Sequence, residues 1–191
     1  MNRIVIYGST YLTEVICKHL LDNYNLIGYV PCKNPTIPGN MNGMPEVSEN
    51  EDCDIKISIQ YDKMITDTKN AYNLHTGLLP SYGGTNILDY TIQNGEVEQG
   101  LTFHKITEDL DYGPILSKIT YPVSATDDSF DLYQKILKIA PNFMMSCLNL
   151  LEHIDEEEIE NCQKIKPIIY RRGEFTLSEK FKKFIGKLHD S

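Results

Sequence analysis

The order of its short apolar runs is what most constrains how this chain folds. Arg3–Gly8 reads RIVIYG, an alternating apolar run that stops at a glycine. From Thr10 to Leu21 the residues Leu12, Val15, Ile16, His19 and Leu20 recur near helical spacing. Asn25–Val30, NLIGYV, returns to strand character. A strand, a helix and a second strand within about 30 residues form the opening of a parallel α/β sheet, because parallel neighbours need a crossover. Asp54–Gln60, DIKISIQ, adds a strand with Ile55, Ile57 and Ile59 on one face. Between them Pro31–Asn50 is rich in Pro, Asn and Gly and reads as loop. Asp62–Asn70 reads as a short helix or loop. The expected fold is α/β: a Rossmann-like, mostly parallel sheet with flanking helices.

The second half continues in the same style. Tyr72–Gly84, YNLHTGLLPSYGG, begins as a strand and ends in a Pro/Gly-rich turn. Thr85–Asn94 reads as a helix closed by Gly95. Gly100–Ile106 and Pro114–Val123 are strands flanking an acidic loop, Thr107–Gly113. Asp127–Asp155 is the longest helical stretch, expected to break or bend near Pro141. Glu156–Glu158 and Glu160 read as a solvated acidic segment, and Pro167–Leu188 as a strand or hairpin followed by a basic helix. This divides the chain into a main domain, residues 1–155, and a C-terminal extension, residues 156–191.

Composition removes several function classes. The 191 residues are 41% hydrophobic, enough for one domain with a sizeable core. No apolar run approaches the ~20 residues that span a bilayer, so no membrane role is expected. Arg3 followed by a short alternating stretch lacks the long apolar segment of a signal peptide, so a cytoplasmic location is expected. The five cysteines are odd in number and show no CxxC pairing; free thiols and no metal site are expected. The net charge of −9 speaks against a nucleic-acid partner. Eight basic and three acidic residues in 164–191 leave that tail at +5 and the rest at −14. Residues 8–13, GSTYLT, hold one glycine where a dinucleotide-binding turn needs three, which excludes that cofactor class; the turn's N–H groups remain available to an anion.

Chemistry concentrates in two segments. On a strand, Asn73 and His75 share a face beside the turn at Gly77–Pro80. An amide and an imidazole aimed at one point suit an oxygen that gains negative charge, although a polar strand end capping a turn fits the spacing equally well. Asp111, followed by Tyr-Gly-Pro, sits at a strand entrance and gains significance only if it meets His75, where a carboxylate orients an imidazole and stabilises its protonated form.

The run NLHTGLLPSYGG followed by GLTFHKITEDLDYGPIL resembles the folate-dependent formyltransferases. Their pattern Asn-x-His-x-x-x-Leu-Pro, a glycine, a Gly-x-Thr-x-His strand and Asp-x-Gly-x-Ile is met by Asn73, His75, Leu79, Pro80 and Gly84, then by Gly100, Thr102, His104, Asp111, Gly113 and Ile115. The resemblance is close over residues 72–118, departs at Thr76-Gly77, and implies the formyltransferase fold. It implies that Asn73 and His75 stabilise the formyl oxygen, that Asp111 holds His75 and manages the amine proton, and that His104 supports the site from its strand. The carrier it implies is 10-formyltetrahydrofolate, lying between Lys63, Met64 and Ile65 and the loop Thr107, Glu108, Asp109 and Leu110. The length and acidic body disfavour initiator tRNA, and GSTYLT is unlike the phosphate loop of glycinamide ribonucleotide enzymes. A nucleotide-linked amino sugar is the expected acceptor, with the C-terminal segment helping to form a homodimer. Phosphoribosylglycinamide formylation and formyltetrahydrofolate hydrolysis stay open as alternatives.

Overall fold

The computed structural model describes residues 1–189. Six strands form the main sheet: β1 (Arg3–Tyr7), β2 (Asn25–Val30), β3 (Ile55–Ile59), β4 (Ala71–His75), β6 (Glu98–Lys105) and β7 (Ile115–Pro122). Their order is β2-β1-β3-β4-β6-β7. The first four are parallel, and β6 and β7 run antiparallel at one side. A separate two-stranded parallel pair joins β5 (Gly83–Gly84) to β8 (Ile169–Tyr170). The mostly parallel α/β expectation is met.

Strand alternation gives the sheet two unlike faces. Ile4 and Ile6, Ile55, Ile57 and Ile59, Tyr72 and Leu74, and Leu101 and Phe103 lie in one large apolar cluster. All five helices among the described residues feed that cluster. α1 (Tyr11–Leu20) contributes Leu12, Ile16 and Leu20. α2 (Ile87–Gln93) adds Leu88 and Ile92, and α3 (Ser129–Leu151) adds Leu132, Tyr133, Ile136 and Met144. α4 (Glu156–Asn161) and α5 (Glu179–His189) add Ile159 and Phe181. The other face holds a small cluster, Val5, Tyr7, Val30, Ile65 and Ala71, and then turns polar along Asn73, His75, Thr102 and His104. Loops, not helices, border this side.

One local expectation changes and another gains a helix. α3 runs unbroken through Pro141. Proline removes one helical bond, but Ala140, Pro141, Phe143 and Met144 are all buried, and this packing outweighs the local defect. The acidic segment is solvated as expected, Glu156–Glu158 and Glu160 being exposed, and it is also helical. Asp155 accepts from the Glu158 N–H and Glu158 accepts from the Asp155 N–H, a reciprocal cap, while the first-turn acids face the positive helix end. No helix among the described residues is long and apolar enough to cross a membrane.

Candidate functional site

β4 delivers Asn73 and His75 to the loop-covered face, as alternation requires, and β6 sets His104 opposite Asn73 and Thr102 opposite His75. The turn after β4 is fastened from β6 and β7. The Thr102 hydroxyl accepts from the Leu79 N–H at 3.0 Å and donates to the Gly77 carbonyl at 2.7 Å. Gln99 accepts from the Leu78 N–H at 2.8 Å, and Lys118 donates to the Leu79 carbonyl. Gly77 is required here: a Cβ would stand 2.6 Å from the Tyr82 carbonyl oxygen and 2.9 Å from His75 Nε2.

Asp111 comes from the loop before β7, in left-handed backbone with φ 53°. Its Oδ2 accepts from the Gly84 N–H at 2.7 Å. Its Oδ1 lies 3.8 Å from His75 Nδ1 and 3.7 Å from His104 Nε2. All three side chains are buried. Asn73, His75 and Asp111 are thus brought together, and His104 joins them.

Partners fix the tautomers. A carbonyl only accepts, so His75 Nε2, 2.6 Å from the Tyr82 oxygen, carries a proton. His104 Nδ1, 3.0 Å from the Lys105 carbonyl, carries one as well. In the neutral rings His75 Nδ1 and His104 Nε2 are bare, and Asn73 Nδ2 donates to the latter at 3.1 Å. His75 is therefore held by a backbone carbonyl, with no hydrogen bond to Asp111, and its open nitrogen faces the carboxylate. Burial pushes the His75 imidazole below its usual value, and the Asp111 charge only partly offsets this. Burial alone would raise the Asp111 carboxyl. Attraction to His75, contact with His104 and the Gly84 N–H outweigh it and bring it down to about 2.

The result is three acceptor atoms, Asp111 Oδ1, His75 Nδ1 and His104 Nε2, clustered without a donor among them. A proton entering this cluster lies between imidazole and carboxylate, and because both groups are lowered it is held weakly and passed on easily. Beside it, Asn73 Nδ2 has a second N–H that His104 does not use, suited to an oxygen gaining charge.

The segments expected to bind the carrier border the same face. Ile65 is buried in the small cluster, and Ile106, just before Thr107, packs against it. Lys63 pairs with Glu49 at 2.6 Å, whereas Met64 and Leu110 are exposed. The Thr107 hydroxyl donates to the Asp109 and Tyr112 carbonyls, closing its own loop; Glu108 is exposed at the loop's outer edge with Asp109. The Gly8–Thr10 turn is occupied internally. The Tyr11 N–H bonds the Ile37 carbonyl and the Thr13 N–H bonds the Thr10 hydroxyl, so the turn offers an anion less than its sequence implied. A cavity of about 230 Å³ lies at the amino ends of β3 and β4, lined by Asp54, Ile55, Tyr72, Lys105 and Glu156. It is remote from this chemistry, which sits at the carboxyl end of β4. Among the described residues no cluster of ligating side chains fits a metal ion.

Sequence reasoning missed the backbone members, the Tyr82 carbonyl and the Gly84 N–H, which carry no side-chain signal. Gln99 was missed too. The Gly-x-Thr-x-His strand was the signal for Thr102 and His104.

An α/β sheet that gathers an amide, two imidazoles and a carboxylate at one strand end has the groups that acyl transfer needs. The chain belongs to the formyl transferase family, whose model matches residues 46–148. It is 36% identical over 106 residues to GDP-perosamine N-formyltransferase of Brucella melitensis, a match covering 52% of this chain and 41% of that protein. It is 32% identical over 136 residues to methionyl-tRNA formyltransferase of Thermosipho melanesiensis, covering 69% and 43%. The matched stretch thus spans less than half of each relative. In fold it resembles the Helicobacter canadensis N-formyltransferase crystallised with folinic acid and dTDP-3-aminofucose, with TM-score 0.76, 20% identity and coverage of 92% and 73%. It also resembles glycinamide ribonucleotide transformylase 1 of Symbiobacterium toebii, with TM-score 0.66, 15% identity and coverage of 87% and 95%.

Proposed function

We propose that this chain transfers a formyl group from 10-formyltetrahydrofolate to the amine of a nucleotide-linked amino sugar. The observation that carries the reading is the meeting of half-buried Asn73 with buried His75, His104 and Asp111 beside two loops on the face away from the described helices. The carrier supplies an electrophilic formyl carbon attached to a nitrogen that departs with a proton. Asn73 donates its unused N–H to the formyl oxygen as the amine adds and charge builds there. The amine must be neutral to attack, and the proton it sheds afterwards goes to His75 Nδ1, beside Asp111 Oδ1. From that cluster the proton is returned to the departing nitrogen, so the C–N bond to the carrier breaks as the new amide forms. His104 fixes the Asn73 amide. Met64, Ile65 and Leu110 give the carrier an apolar wall, and the backbone of Lys63 and of Thr107–Asp109 reads its polar edge.

The perosamine relative and the aminofucose complex support an amino sugar as acceptor. The acidic body opposes tRNA, and the internally bonded turn before α1 opposes a ribonucleotide phosphate there. The reading includes a homodimer made through the extension, where Ile165, Ile168 and Ile169 are exposed. The test is release of tetrahydrofolate from 10-formyltetrahydrofolate with a panel of nucleotide-linked amino sugars, glycinamide ribonucleotide and charged initiator tRNA. Formamide product with an amino sugar alone is expected. Product only with another amine overturns the acceptor, and release without any amine makes the chain a hydrolase.

A further inference from the structure

The extension reaches into the site although no part of it contacts the reacting atoms. The Tyr82 carbonyl holds His75, the Gly84 N–H holds Asp111, and only Gly83 separates them. This peptide is gripped by β8. The Gly83 N–H bonds the Ile168 carbonyl at 2.9 Å, the Thr85 N–H bonds the Tyr170 carbonyl at 2.9 Å, and the Ile168 N–H bonds the Pro80 carbonyl at 2.8 Å. Gly84 has φ 91°, and a Cβ there would stand 2.0 Å from the Tyr170 carbonyl oxygen, so the approach is as close as backbones come. Side chains repeat the grip. The Tyr82 and Tyr170 rings stack at 5.0 Å with 6° between planes, and Asn94 donates to both hydroxyls, at 2.9 and 3.1 Å. Tyr90 packs on Tyr170 at 4.5 Å and meets Phe175 at 4.9 Å.

We infer that β8, anchored by the Tyr170 ring, sets the distance between His75 and Asp111, making Tyr170 a positioning residue for the proton step. Loss of the stack leaves Tyr82 held by Glu96, Asn94 and the Leu78 carbonyl without its ring partner on β8, and the spacing of the Tyr82 carbonyl and Gly84 N–H loosens. His75 Nε2 loses its acceptor and the ring becomes free to exchange tautomers. Misplacement on the ångström scale weakens catalysis by up to about 100-fold without touching substrate contacts. The inference takes its kinetic readout from the formyl-transfer reading; its spectroscopic readout is independent of that reading.

The experiment compares Tyr170→Ala, Tyr170→Leu and Tyr170→Phe in the full chain, with folding checked by circular dichroism. The Leu variant keeps apolar bulk without the ring, should Ala fail to fold. For Ala or Leu, kcat falls by about 10–100-fold while KM for the carrier changes little. Phe, which keeps the stack, stays near the parent. Nitrogen-15 NMR of His75 shows the Nε2-protonated tautomer in the parent and Phe proteins and a mixed population in Ala or Leu. A raised KM with unchanged kcat, or a His75 signal identical in all folded variants, overturns the inference. A parent without formyl transfer but with the expected His75 signals sinks the activity reading and leaves the clamp standing.

Discussion

The two faces of the sheet are made by the same strands and do different work. Toward the helices β4 presents Tyr72 and Leu74 to a continuous apolar core; toward the loops it presents Ala71, Asn73 and His75. The helical face carries stability because aliphatic and aromatic packing there is dense and buried. The loop face gives up part of that packing to hold a carboxylate and two imidazoles away from water. A single residue step along one strand crosses from one regime to the other.

That contrast is open to test, the largest effect first. Asn73→Ala lowers turnover by about 10²–10³, the usual cost of one lost oxyanion donor, with thermal stability close to the parent. Its neighbour Leu74→Ala does the reverse, costing about 2–5 kcal/mol of stability while kcat of the folded fraction stays near the parent. Turnover and calorimetry on both variants check it; parallel losses in each would break the comparison. Next comes acid. The Asp111 carboxyl is lowered from 3.8 to about 2 on folding, so its contribution of about 2 kcal/mol is complete above pH ~4 and is lost as pH falls through about 2. His75 is also lowered by burial, which adds loss in the same direction below its ordinary 6.5. Chemical unfolding across this range shows the slope, and Asp111→Asn flattens its lower part. The smallest effect is Gly77→Ala. Its methyl crowds His75 and the Tyr82 carbonyl, and about a tenfold drop in kcat, roughly 1.4 kcal/mol, is expected with stability changed less than in Leu74→Ala. Steady-state kinetics decide it.

Much of this was legible in the residues, and the parts that were not share a cause. Alternation along β4 put Asn73 and His75 on one side, and alternation along β6 did the same for Thr102 and His104. The opening strand-helix-strand followed from spacing. Asp111 entered as a conditional partner because its approach depends on a left-handed backbone and a loop path that local pattern does not encode. The Tyr82 carbonyl and Gly84 N–H were invisible, since every residue but proline offers the same backbone groups. Gly83–Gly84 resembled a turn because its strand exists only through β8. The acidic segment before Cys162 is solvated as its charge implied, but its helix was not legible because charge counting ignores a reciprocal cap.

The pairing of Gly83–Gly84 with Ile169–Tyr170 has a consequence for how the molecule comes into being. Every strand of the main sheet is made before Ile169 is added, and long-range closure of this kind is slow to form. A nascent molecule therefore has its main sheet before it has the strand that grips Gly83–Gly84, and before α5 adds Phe181 to the apolar core. Premature termination ahead of that strand would remove the grip on Gly83–Gly84 and the α5 share of the core together.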